Sequence, residues 1–302
     1  MGFLRNVLEG VSLGGVYALI ALGYTMVYGV LGLINFAHSD VFMVGAYVGI
    51  FTAGFFGITA SSQAGSSVAV TVACVAAAMV VCALLGMTLE RLAYRPVRNA
   101  PKLTPLVTAI GVSMLLQNVA MLVFKSTPRG FPPTLRTASV HLGPVATTNI
   151  KLLDLGAAVA LMVALTLLVQ KTRVGRAMRA ISTNLEAARL MGVPTDRVIA
   201  VTFGLGSALA GAGGILFGLD QPRIDPLTGV QPGLKAFVAA VLGGIGNIPG
   251  AMLGGLVIGL VEQLSAAYLS SSFAPAIVFA ILVVVLLVRP QGLLGRVTRE
   301  KV

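Results

Sequence analysis

Seven stretches of this 302-residue chain contain no Asp, Glu, Lys or Arg: 10–39, 41–89, 103–124, 155–170, 198–219, 236–261 and 263–288. A helix rises about 1.5 Å per residue, so about 20 mostly uncharged residues cross a hydrocarbon core about 30 Å thick. Most of the windows suffice for one crossing, and 41–89 must hold more than one. Hydrophobic residues make up 57% of the chain, charged residues 10%, and mean hydropathy is +0.95, whereas a soluble domain carries about 25% charged residues. The Leu, Ala, Val and Gly runs lack the apolar/polar alternation of membrane β-strands. The expectation is therefore an all-α integral membrane protein.

The expected helices are 7–30, 40–58, 68–89, 105–124, 152–170, 197–219, a broken pair within 235–266, and 273–289, about eight membrane segments in one domain spanning 1–302. Arg5 precedes a long apolar stretch without a small-x-small cleavage site, so the first helix is expected to stay rather than be removed. Cys74 and Cys82 are separated by about 12 Å of helical rise, too far for a disulfide, and read as packing residues.

A net charge of +11 raises nucleic acid as a partner, but the cations cluster between apolar segments rather than on one soluble face. The clusters are Arg91, Arg95, Arg98 and Lys102; Lys171, Arg173, Arg176, Arg179, Arg189 and Arg197; and Arg289, Arg296, Arg299 and Lys301. The positive-inside rule puts all three in the cytoplasm. The Ser/Gly stretch ending Gly65-Ser66-Ser67 and the Pro-rich loop between 125 and 151 then lie outside, although Lys125, Arg129, Arg136 and Lys151 sit uneasily there. An even number of crossings must separate 171–196 from the C-terminus. Gly243-Gly244-Ile245-Gly246-Asn247-Ile248-Pro249-Gly250 interrupts any regular helix, and a re-entrant pair returning to the outer side satisfies the count. Non-helical backbone at membrane depth is tolerated only against protein or a water-filled cavity, so Gly246 and Asn247 are expected beside a translocation path, with the N-terminus outside.

Small residues recur every fourth position: Gly10, Gly14 and Ala18; Ala210, Gly214 and Gly218; Gly246, Gly250 and Gly254. This spacing lets helix backbones approach closely in lipid, either for packing alone or for an interface that slides during gating. Gln117 and Asn118 fall near the middle of the fourth helix, where bare amides are costly, and must bond to other helices or line a path. Asn35, His38 and Asp40 are expected at a membrane–water boundary, with Ser39 or Asp40 capping the next helix. Glu262 and Gln263 read as solvated residues at the outer end of the broken segment or as gate contacts. The apolar windows contain no carboxylate of the kind an ion-coupled carrier uses.

Residues 180–194 read as a short helix outside the bilayer. Thr183 followed by Glu186 makes a capping box, Gly192 can take the left-handed turn that ends a helix, and Pro194 prevents continuation. So short a helix is marginal alone and is expected to dock on a partner. No phosphate-binding Gly-x-x-x-x-Gly-Lys-Ser/Thr loop occurs, so ATP would be bound elsewhere, and no His, Cys and carboxylate cluster has metal-ligand spacing.

Glu186-Ala187-Ala188 with Gly192 resembles the cytoplasmic loop of ABC-importer permeases, without that family's Ile-x-Leu-Pro ending. The wider pattern is similar to the Liv-type branched-chain amino-acid permeases over nearly the whole chain. It comprises Gly32-Leu33-Ile34-Asn35-Phe36-Ala37-His38, Gly45-Ala46-Tyr47, Leu116-Gln117-Asn118, the 243–250 segment and Arg289-Pro290-Gln291-Gly292-Leu293-Leu294-Gly295, with a departure at Ser39-Asp40. The resemblance implies a multi-pass bacterial inner-membrane permease that is not itself an enzyme. It makes 184–192 a coupling helix, with Glu186, Ala187, Ala188 and Gly192 meeting the ATPase. It further implies a second homologous permease, two ATPase subunits carrying ATP-Mg, and a periplasmic binding protein that delivers Leu, Ile or Val, while this chain binds no cofactor. Asn35, His38, Gln117, Asn118, Gly246, Asn247 and Glu262 are the candidates for the path. Urea, short amides or other amino acids are alternative cargo, and an ion-coupled carrier or a membrane-embedded enzyme are the alternative classes.

Overall fold

The computed structural model describes residues 2–62, 67–101, 103–142, 145–221 and 223–295. Gly65, Ser66, Lys102, Arg296, Arg299 and Lys301 of the sequence reading lie outside them. The helices are α1 (Gly2–Leu31), α2 (His38–Phe55), α3 (Val68–Leu89), α4 (Leu103–Phe124), α5 (Asn149–Lys171), α6 (Arg173–Thr183), α7 (Leu185–Leu190), α8 (Thr195–Asp220), α9 (Val230–Gly243), α10 (Ile248–Tyr268) and α11 (Ala274–Val288). Six of them, α1, α3, α4, α5, α8 and α10, are long and apolar enough to cross a membrane. With 14 and 15 residues, α9 and α11 reach only about 21–23 Å.

The chain is not wholly α-helical. Within the Pro-rich segment β1 (Arg129–Gly130) precedes a hairpin of β2 (Ser139–Leu142) and β3 (Val145–Thr148), and β1 pairs antiparallel with β4 (Arg223–Ile224) after α8. This arrangement seats Phe131 over the ends of α2 and α8, against Gly49 and Gly218. Lys151, one of the awkward outer cations, is neutralised by Asp220 at 2.8 Å.

Hydropathy does not say which helix is central, because lipid and protein interior are equally apolar to a Leu side chain. Small residues decide it. Every residue of α1 from Gly14 to Val27 is buried, because glycines on the neighbouring helices admit its backbone. A Cβ added to Gly255 of α10 would lie 2.5 Å from Ala18 Cα, and one on Gly14 would lie 2.7 Å from Leu256 Cα. The same device joins α2 to α8, where a Cβ on Gly45 would stand 2.5 Å from Gly211 Cα. Both cysteines are buried and free, as packing residues should be.

The fourth-residue series at Gly246 does not share one helix face. Gly244 and Gly246 have φ of +101° and +91°, which glycine adopts without strain, and they form the break between α9 and α10. Asn247 then caps α10, accepting from Gly250 N at 3.2 Å. The C-terminal segment 289–295 folds back onto this break. Leu293 N donates to Leu242 O at 2.8 Å and Leu294 N to Gly243 O at 3.1 Å, satisfying carbonyls that a helix end leaves open, while Asn247 Nδ2 donates to Leu294 O at 2.6 Å.

The expectation of a membrane–water boundary at 35–40 is overturned. After Gly32, at φ +66°, the chain turns back into the bundle and α2 starts beside Gly23, so close that a Cβ there would overlap the His38 imidazole. Gly23 lies about 12 Å of helical rise before the end of α1, which puts Asn35, His38 and Asp40 inside the protein at 3%, 1% and 0% exposure. The capping reading fails with it. The residue before α2 is Ala37, with no side-chain cap, and Ser39 Oγ instead donates to Phe36 O at 3.1 Å.

Candidate functional site

Two cavities of about 800 and 830 Å³ open at opposite ends of the bundle. The first lies among Leu13 and Tyr17 of α1, Lys151 at the start of α5, Asp220 at the end of α8, and Glu262 and Gln263 near the end of α10. The second lies at the α7 end, among the last residues of α1 and α5, residues 178–185, and the break at 245–249. Along α1 the first reaches Tyr17 and the second begins at Thr25. The intervening residues 18–24, all buried, form a septum about 10 Å thick.

The septum is built from close backbone contact and aromatic edges. Gly206 of α8 meets Gly23, where an added Cβ would lie 3.2 Å from Gly23 Cα. Tyr24 sits edge-on to His38 with centroids 4.9 Å apart, and to Phe237 of α9 at 6.1 Å. Beside it run polar links between helices. Gln117 Nε2 donates to Asp40 Oδ1 at 3.0 Å and to Ser113 Oγ at 3.2 Å, joining α4 to α2. The Tyr94 hydroxyl donates to Asn35 Oδ1 at 2.5 Å. Tyr94 can do so because α3 ends in a π turn over Glu90–Tyr94, where Arg95 N donates to Glu90 O; the extra residue re-aims the side chain, as such turns often do at functional positions.

Asn118 departs from expectation. It is exposed, turned off the bundle, and satisfies itself by donating to Met114 O at 2.7 Å, so it does not line either cavity in this chain. The scarcity of carboxylates also needs correction, since Asp40, Glu90 and Asp154 are all buried. Each lies at the edge of an uncharged window, a place that looks solvated in sequence but is covered in the fold.

At the floor of the first cavity, next to the septum, Glu262 is a paired residue and not a solvated one. Lys235 Nζ donates to its Oε1 at 2.7 Å and the Tyr17 hydroxyl to its Oε2 at 2.9 Å. Their side chains keep 10% and 16% exposure for Lys235 and Glu262, so the pair looks into the cavity while most of it is desolvated. Gln263 Nε2 donates to Glu9 Oε2 at 2.8 Å, tying α10 to the start of α1.

Gly246 and Asn247 line the second cavity, at the end of the bundle instead of mid-depth. The helix expected around 184–192 is present as α7, but its cap is shifted by one. Asn184 accepts from Ala187 N at 2.9 Å, whereas Thr183 belongs to α6 and donates to Arg179 O at 3.0 Å. Gly192 has φ +80°, and Pro194 precedes α8. Glu186 and Ala187 are exposed while Ala188 packs inward. Leu190 and Met191 stand 88% and 84% exposed.

Sequence reasoning missed several of these residues. Lys235 stands just before the uncharged window 236–261 and so looked like a boundary marker; a lone cation beside an apolar segment was the available signal. Nothing local pairs Tyr17 with Glu262 or Tyr94 with Asn35. No helix was expected over 173–179, the first part of α6, although its buried Gly175, Met178 and Ile181 repeat at helical spacing.

Residues 6–288 match the profile of a family described as the permease component of the branched-chain amino acid transport system. The high-affinity branched-chain amino acid transport system permease proteins LivH of Salmonella typhimurium and of Escherichia coli K12 are each 44% identical to this chain. Each alignment covers 99% of this chain and 98% of the relative. BraD of Pseudomonas aeruginosa, described in the same words, is 40% identical over 99% and 98%. With its membrane helices, its two opposed cavities and a full-length match at this level, the chain belongs to the family of permease components of branched-chain amino acid transport systems.

Proposed function

We propose that this chain, as one permease domain over 1–302 in the bacterial inner membrane, provides a path by which an ATP-driven importer moves leucine, isoleucine and valine. The observation that carries the reading is the pair of opposed cavities parted by a septum of seven α1 residues. Moving a septum about 10 Å thick transfers access from one end to the other, and backbone-on-backbone glycine contacts allow rigid helices to shift without dragging long side chains. In this scheme the membrane segments number about eight, α9 and α10 entering and returning as a pair. The α7 end is then cytoplasmic and the Lys235–Glu262 end faces the binding protein.

Energy comes from outside the chain, which has no phosphate loop in its sequence. Partner ATPases holding ATP-Mg would push on α7 at 184–192. A two-turn helix cut free at Asn184 and at Gly192, with Leu190 and Met191 standing in water, suits insertion into an apolar cleft rimmed by charge that meets Glu186 and Arg189. A second permease and a periplasmic binding protein complete the machine.

The test is ATP-dependent leucine uptake by proteoliposomes that contain the assembled importer and its binding protein. Glu186→Lys should reduce uptake and ATPase co-purification while insertion stays intact; unchanged uptake would sink the coupling role of α7. Uptake driven by an ion gradient with this chain alone would replace the ATP-driven reading altogether.

A further inference from the structure

The cavity away from α7 has an apolar part of its lining, with Leu13, Met121 and Phe217, and carries its charge as equal numbers of cations and carboxylates. Lys151, Arg223 and Lys235 line it with Asp220, Asp225 and Glu262, and two ion pairs form among them, Lys151–Asp220 and Lys235–Glu262. Among the described residues, Lys235–Glu262 is the one of the two pairs that bonds to Tyr17, the residue next to the septum. Holding an ion pair there costs desolvation of both ions, repaid in full only by good geometry and extra hydrogen bonds. The Tyr17 hydroxyl supplies one such bond, yet the pair remains open to the cavity, an odd place for a staple and a suitable one for a receptor.

We propose that Lys235 and Glu262 are the headgroup site for the amino-acid zwitterion on its way to the septum. This rests on the reading of the chain as an amino-acid path. On arrival the ion pair parts: Lys235 Nζ donates to the cargo carboxylate, and the cargo ammonium donates to Glu262, which the Tyr17 hydroxyl continues to hold. Two charge-assisted contacts replace one, and the site with its cargo stays neutral throughout. An amino acid with a charged side chain would leave one charge without a partner in a low-dielectric cavity, which is expensive. The site therefore filters for net-neutral amino acids whatever the side-chain shape, while the apolar wall receives an aliphatic side chain.

The distinguishing variant is Lys235→Met with Glu262→Gln in the same chain, assembled with the ATPases, companion permease and binding protein in proteoliposomes. It removes both charges while keeping the volume, and replacing an ion pair in this way is often neutral for stability. Labelled leucine uptake should fall by about 10- to 100-fold, the loss expected from the net gain of one charge-assisted hydrogen bond when two contacts replace one, with assembly in normal amounts. Uptake at the unmutated rate would show the pair to be a structural staple and overturn the proposal. Should the variant fail to assemble, the unmutated importer is irradiated with photo-leucine, a diazirine analogue of the cargo. Adducts on peptides holding Tyr17, Lys235 or Glu262 support the site, and adducts confined to other peptides refute it. An unmutated importer that takes up no leucine at all would refute the cargo reading itself.

Discussion

Gly255→Ala is the sharpest probe of how the bundle is held. The new methyl would lie 2.5 Å from both Ala18 Cα and Ala18 N and 2.6 Å from Ala18 Cβ, whereas carbon atoms rest about 3.5–4.0 Å apart. Two of the three obstacles are backbone, which cannot rotate aside, so α1 and α10 must part by about 1 Å or more along their crossing. Overpacking of this kind costs about 1–3 kcal/mol, and rigid obstacles favour the upper end. Alanine is also a better helix former than glycine by about 1 kcal/mol, a gain that masks part of the cost. The proper reference is therefore the same substitution at Gly111 of α4 or Gly156 of α5, where an added Cβ meets nothing within 4 Å. The propensity gain cancels between the variants and leaves the packing cost alone. In thermal melts of the detergent-solubilised protein, Gly255→Ala should fall below Gly111→Ala by roughly 2–5 °C. Coincident melting curves would refute the account of α1 as a helix seated by glycines.

Three further outcomes follow from individual contacts. Tyr94→Phe leaves the buried Asn35 Oδ1 without its donor and should cost about 1–3 kcal/mol, read as a lower melting midpoint; an unchanged midpoint would mean the π turn places Tyr94 for packing only. Asn247→Ala removes both the α10 cap and the bond to Leu294 O, and should cost about 1–2 kcal/mol and speed hydrogen exchange at the amides of Leu293 and Leu294. Leu190→Glu combined with Met191→Glu should weaken ATPase co-purification without moving the melting midpoint, since both side chains already stand in water; a lower midpoint with normal co-purification would show that they pack within this chain.

Much of the helical layout was legible because uncharged length is a local property. The expected 68–89 coincides with α3, 105–124 falls within two residues of α4, and the glycines of 243–250 announced the break. What could not be read was contact at a distance. Glu262 meets a lysine 27 positions away and a tyrosine 245 away, and Gln117 reaches Asp40 across 77; no periodicity encodes such partners. Asp40 and His38 misled for a related reason, since charge next to an apolar window suggests a water boundary, and only the return of residues 32–37 into the bundle shows otherwise. The cap at Asn184 in place of Thr183 is a smaller case, where two good capping residues adjoin and the end of α6 claims the first.

The strap formed by residues 289–295 sets the order in which the protein can be completed. Its bonds to Leu242, Gly243 and Asn247 close the floor of the α7-side cavity with residues that follow α11 in the chain. At about 5–20 residues per second, helices α1 to α11 have all been synthesised before that floor can exist. A stop codon just after Val288 would thus release a chain with α1 to α11 complete and an unsealed base, the carbonyls of Leu242 and Gly243 at the end of α9 left without these donors.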